Sequence, residues 1–466
     1  MPNIAAFGLG LVSRSKAVTA ARSQNIYFEP RPMGEKAQIV AYGTPGLELF
    51  SDAGDTPWRG MQSVGTTDYM YGVHRGIHYQ VDNVGTRTSR GMLNSSSGRV
   101  DMTHNGTVEL MVDGADAYTY TVASTTFAEV TDGQLISNPK TCTWLDQYFI
   151  VENGSQFQIS TNGVDWEAAD IGIPESNHDG IVRVFADHGE LVIFGDVSTE
   201  FWTNTGATDF PFAPLKSSTA EWGLAAPWSL CRFNDSLACL VKNRMGQVSV
   251  ARFEGYIPRV ISTPDLDEII NSYTTTGDAT AYSYMLGGHP MYQLNFPSEG
   301  ASWLYDGLAN HWSPLKSFGI TRQRNEIGVN YLNKTIVSDY TNGKLYTLRG
   351  DVYTENGESI ERELISGPIA SPELERFSID RFRIDMETGI GLATGQGSNP
   401  QVMLSVSRDG GYSFGAEMWR TAGAIGDYKR RVEWRRLGYC DQAVFKLRMT
   451  DPVKFAAVNE SINPGD

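Results

Sequence analysis

The chain has 466 residues and a formal net charge of −16, with 38 Lys+Arg against 54 Asp+Glu. Its 41% hydrophobic content can bury a sizeable core, which excludes a disordered chain, while 48 Gly and 20 Pro disfavour a helical bundle. The acid excess excludes a surface that binds duplex throughout, because phosphate contacts need clustered Lys and Arg.

Residues 1–57 read as an extended N-terminal segment, with strand-like pieces at Gln24–Pro30 and Thr44–Phe50 between loop signals. From 58 to 350 one pattern recurs: a short apolar run, a Gly-containing turn, then an alternating strand that usually carries an aromatic. Met70–Val73 turns at Gly76 into Ile77–Val81, Leu110–Val112 at Asp113-Gly114 into Tyr118–Val122, and Tyr148–Val151 at Asn153-Gly154 into Phe157–Ile159. Leu191–Phe194 turns at Gly195-Asp196, Leu237–Val241 at Met245-Gly246, Met291–Phe296 at Pro297–Gly300, and Thr335–Val337 through Asn342-Gly343. Asn-Gly and Asp-Gly tolerate the positive φ of tight hairpins, so each pair reads as a hairpin.

The turn glycines stand at 76, 114, 154, 195, 246, 300 and 343. Their mean step of about 44 residues falls in the range of four-stranded propeller blades. A blade cannot bury both its faces alone, so each hairpin becomes the middle of a blade in a ring. The expected fold is all-β: a β-propeller of six or seven blades over 58–350, with the extended segment before it. A large sandwich would also show alternating strands, but it gives no reason for a steady step. One short helix is expected at Pro264–Ile270, where Pro264 and the acidic residues suit a first turn.

Residues 351–466 read as a small C-terminal antiparallel β domain, with strands at Phe377–Ile384, Val402–Val406, Val432–Arg436 and Val444–Met449. Ser407-Arg408-Asp409-Gly410-Gly411-Tyr412-Ser413-Phe414 fits the Asp-box pattern, and Ser160–Trp166 misses it by one residue. Such a box is a self-capped turn with an aromatic beneath it, a structural device rather than a catalytic one. The basic run Lys429, Arg430, Arg431, Arg435 and Arg436, less Glu433, carries +4. From 374 to 454 there are 13 Lys+Arg against 10 Asp+Glu, so the remaining chain carries −19. Lys429, Arg430, Arg431, Trp434, Arg435 and Arg436 are therefore the candidate protein interface, since Arg and Trp are favoured anchors against an acidic partner.

No catalytic, metal or cofactor residues are expected. Four cysteines (Cys142, Cys231, Cys239, Cys440) form no CxxC pair, the histidines are scattered, and no nucleophile elbow, Walker A loop or HExxH is present. Cys231 and Cys239 flank Asn234-Asp235-Ser236 and could face each other across a hairpin, although small buried hydrophobes is the better reading. The first 16 residues lack a signal peptide's basic and apolar regions, and no stretch approaches the ~18 apolar residues of a membrane span. Synthesis in a reducing cytoplasm, without an anchor, is the expectation.

The chain resembles the packaged-DNA stabilisation proteins of short-tailed bacteriophages, the P22-like tail accessory factor or tail hub family. The resemblance rests on Asn25-x-Tyr27-x-Glu29 with Thr44–Leu47, then on Gly288–Tyr292, Asn295–Pro297, Trp303–Asp306 and Trp312. At the end of the chain it rests on Leu404–Gly411, Arg431–Gly438 and Phe445–Arg448. It implies a non-enzymatic virion tail component, made in the host cytoplasm. It further implies a homohexameric ring below the portal and adaptor rings, a head–tail connector that retains packaged DNA until ejection. Tail spikes, fibres or a needle would attach to it, and double-stranded DNA would pass nearby without specific binding. An acidic channel wall suits that role, with the C-terminal domain making protein contacts. The alternative from the residues is a glycan-binding or glycan-degrading propeller.

Overall fold

The computed structural model describes residue 7 and residues 20–32, 37, 39–65, 67–174, 179–371 and 375–465. All seven hairpins marked by turn glycines form, and each supplies the second and third strands of an antiparallel blade. The blades occupy residues 58–92, 101–129, 141–172, 181–214, 223–260, 280–314 and 325–349, so the propeller has seven. First strands of neighbouring blades pack against one another from Thr280–Leu286 through Asn325–Tyr331, Trp58–Ser63, Asp101–His104 and Thr141–Leu145 to Ile181–Asp187, and Cys231–Phe233 of the fifth blade packs against Thr280–Leu286. Apolar cores lie between adjacent blades; Trp58, Met70 and Val81 of the first meet Ile336 and Leu345 of the seventh.

Turn chemistry is less uniform than the glycines suggest. Gly114, Gly154, Gly246 and Gly300 adopt positive φ, but at the first hairpin Arg75 takes it, at 53°. The expected helix spans Pro264–Asn271, and its N-cap Thr263 accepts a hydrogen bond from the Leu266 backbone N–H.

The seventh blade is completed from the other end of the chain. Gly46–Asp52 pairs antiparallel with Lys344–Arg349 and becomes the fourth strand of that blade, with the short Thr354–Glu355 strand parallel to it on its outer side. Leu47 is 1% exposed there, packed with Val337 and Tyr346. Closure of this kind removes an open sheet edge, a site for unwanted pairing.

Two further sheets face each other as a sandwich. One holds Arg22–Gln24, Arg362–Ile365, Gln442–Met449, Gln401–Ser407 and Met418–Thr421. The other holds Ile26–Pro30, Ile39–Gly43, Ala456–Gly465, Phe377–Met386 and Val432–Cys440. Their shared core contains Ile26, Phe28, Trp434 and the stacked Phe382–Phe445 pair, 4.7 Å between ring centroids. From Arg22 onward the chain therefore supplies strands to the sandwich, lends one strand to the seventh blade, runs through the propeller and returns to the sandwich.

Propeller and sandwich are joined through buried polar contacts at the sixth blade. Asn25, at φ 55°, donates through Nδ2 to the Lys316 and Glu361 carbonyls at 2.8 Å and accepts the Lys316 N–H at 2.9 Å. Asn25→Ala leaves those three groups unsatisfied and puts alanine, which tolerates the left-handed region less well than asparagine, at φ 55°. The expected loss is about 3 kcal/mol, read as a lower denaturant midpoint.

His311 lies beside the two strands that flank Asn25, 3.2 Å from Ser23 Oγ and edge-on to Phe28. Burial pushes its imidazole down from 6.5 to about 4. A depressed histidine contributes stability that is present above its unfolded value and lost as pH falls through the folded one. Between pH 6.5 and 4 the protein is expected to lose about 3 kcal/mol from this group, and His311→Asn removes that part of the pH slope in chemical denaturation.

Candidate protein interface at the sandwich edge

Met418–Thr421 and Val432–Cys440 are the outer strands of the two facing sheets, and residues 422–431 carry the chain from one to the other. Two hydrogen bonds fasten these edges together. Arg420 Nε donates to the Glu433 carbonyl at 3.0 Å, and Trp434 Nε1 to the Met418 carbonyl at 2.7 Å.

Along Val432–Cys440 the side chains first alternate, with Val432 and Trp434 inward and Arg435 outward. The register then steps from Arg381↔Arg435 to Ile379↔Gly438, placing an extra residue on this strand. Arg436 absorbs the step at φ 60°, a β-bulge that leaves both Arg435 and Arg436 exposed.

The six candidate residues thus divide. Lys429, Arg430, Arg431, Arg435 and Arg436 are exposed, whereas Trp434 is fully buried and fastens the edge from within. Arg435 pairs with Glu433 at 2.7 Å and Arg430 lies 4.0 Å from Asp427, but Lys429, Arg431 and Arg436 form no ion pair among the described residues.

Large apolar side chains stand exposed along the same stretch: Trp419, Ile425, Tyr428 and Tyr439, each at least half open to solvent. Sequence reasoning did not single them out. Their signal was position: they lie outside the alternating core pattern, in loops or on edge strands where no core face exists to take them. Aromatics among arginines are what interface centres are made of.

The other constellations are structural. In the Asp box, Asp409 accepts the backbone N–H groups of Tyr412 and Ser413 at 3.0 and 2.9 Å, and the Ser407 and Ser413 hydroxyls also donate to it. Those donors hold its carboxyl well below the usual range. Asn162 does the same for Val164 and Asp165 in the near-miss, above the buried Trp166. Cys231 pairs with Ala238 rather than Cys239, both thiols are free, and burial pushes Cys231 up to about 12. His289 Nδ1 donates to Asp306 Oδ2 at 2.8 Å in the sixth blade. No group of three or more His, Cys, Asp or Glu among the described residues could hold a metal ion.

A closed seven-bladed propeller and a sandwich that share strands from both ends of the described chain define a two-part all-β protein. The chain belongs to the bacteriophage P22 Gp10 family: the family's β-propeller model matches residues 9–353 and its β-sandwich model residues 362–463.

One curated relative, the tail hub protein gp10 of Salmonella phage P22, is 24% identical over 286 residues. The match covers 59% of this chain and 58% of that relative, so the chain spans little more than half the relative's length. Similar solved structures include the mitotic checkpoint complex, with TM-score 0.41 and 11% identity over 75% of this chain and 99% of that one. The extracellular domain of a hybrid two-component system from B. thetaiotaomicron gives TM-score 0.45 and 7% identity, over 69% and 46%. Likenesses at that level carry no functional weight.

Proposed function

We propose that this chain is a structural, non-enzymatic component of a phage virion tail, a hub that completes the connection between head and tail. Family membership and the relative's role as a tail hub support the reading. In it, copies made in the host cytoplasm assemble as a homohexameric ring against a portal-side adaptor. The ring carries spikes, fibres or a needle and helps to keep packaged DNA in place.

The observation that carries it is the sandwich edge. Five exposed cations and four exposed large apolar side chains lie along it, on a chain whose remainder has −19. That composition fits an acidic protein surface, which the arginines steer and the aromatics anchor. The acidic remainder suits walls beside which DNA moves without being gripped.

Native mass spectrometry of the purified chain, alone and with its portal-side adaptor, tests the proposal. A ring complex of fixed stoichiometry is expected. A chain that stays monomeric with the adaptor present and degrades host polysaccharide would overturn it in favour of a glycan-active propeller.

A further inference from the structure

The axis of this acidic protein is lined with arginines. A cavity of about 430 Å³ opens where the first strands of the blades converge. Arg99, Arg183 and Arg232 line it with Trp228 and Phe185, and Asp101 is the one carboxylate among its described lining residues. Two guanidiniums share one indole: Arg99 Cζ is 5.2 Å and Arg183 Cζ 5.0 Å from the Trp228 ring centroid.

The cations are unequally matched. Arg183 reaches Asp101 Oδ1 at 3.1 Å and the Pro227 carbonyl at 2.7 Å, while Asp101 Oδ2 accepts the Cys142 N–H at 3.0 Å. Arg232 is held by Asp187 at 3.3 Å and the Ala186 carbonyl at 2.7 Å. Arg99 makes no hydrogen bond or ion pair among the described residues, and its buried Nε lacks an acceptor. Burial, with Arg183 nearby, pushes the Arg99 guanidinium below its ordinary value. The Trp228 face and the charges of Glu326 and Asp101 offset part of that cost, without a direct hydrogen bond to the guanidinium.

We propose that the axial cavity binds a compact oxyanion, a carboxylate- or phosphate-bearing small molecule, seated between Arg99 and Arg183. A guanidinium fork matches such a group with paired N–H donors, and the cavity's volume lies within the usual span for small-molecule sites. Binding rather than cleavage is inferred, because glycoside hydrolysis needs a second carboxylate and Asp101 is already engaged on both oxygens. The axial site is separate from the sandwich edge, so the two readings stand or fall independently.

Titration calorimetry of the full chain at constant ionic strength, with glucuronate, citrate and inorganic phosphate in turn, tests the proposal and distinguishes a sugar acid from a free phosphate. At least one is expected to bind with one-site stoichiometry, and Arg99→Met to weaken it by about tenfold or more. Arg99→Lys, which keeps charge but loses the fork, is expected to fall between. Without ligand, Arg99→Met is expected to melt at about the same temperature, since it removes a partly exposed guanidinium that makes no hydrogen bond among the described residues. Absence of binding by all three anions, equal binding by Arg99→Met, or a lower melting temperature without any anion effect would each overturn the proposal.

Discussion

Reversing Arg431, Arg435 and Arg436 to glutamate together is expected to weaken association with an acidic tail partner by at least about a hundredfold while leaving the melting temperature unchanged. The stability half follows from exposure. Arg431 and Arg436 form no ion pair among the described residues, and the Arg435–Glu433 contact is a surface pair of small worth. The binding half follows from sign, because three reversals turn an attractive edge into a repulsive one. Since exposed charges are screened by salt, the wild-type affinity is expected to fall as ionic strength rises and the variant's to change little. Trp434→Ala is the contrast: it empties a core position and should cost about 4 kcal/mol of stability. Equal affinity of the triple variant and the wild type in surface plasmon resonance would remove the edge from the interface.

The hairpins were legible because each is local: a turn residue and two alternating strands within about a dozen positions announce it. Their even spacing then implied the ring. What completes the ring was not legible. Glu48 and Arg349 form an ion pair across the closing strands although they lie 301 positions apart, and no short-range pattern couples such residues. The interface was half legible. Alternation placed Val432 and Trp434 on one face, yet Trp434 entered the candidate set by residue type, while the structure uses it as core. The bulge at Arg436 had no signal, since arginine does not advertise positive φ. Arg99 lay hidden for another reason: an arginine in the connection between two blades looks solvated until the blades around it are in place.

The closing strand also sets what the propeller cannot lose. Leu47 lies between the sixth and seventh blades with Tyr282, Val337 and Tyr346, and Gly46 has no room for a β-carbon, which would stand 2.4 Å from the Val352 carbonyl oxygen. Leu47→Asp buries a carboxylate with no partner and is expected to cost about 5 kcal/mol, a large part of a domain's net stability. The opening should be local first. Hydrogen exchange at Lys344–Arg349, which loses its outer partner strand, is expected to accelerate by at least about a thousandfold, with less change in the third blade, far round the ring. Glu48→Ala on the same strand removes only the exposed 2.7 Å pair with Arg349 and should shift stability by less than about 0.5 kcal/mol. Comparable exchange in the Leu47→Asp variant and the wild type would mean that the ring holds without its last strand. A uniform loss of protection across all seven blades would mean instead that closure is the step on which the whole propeller's cooperativity rests.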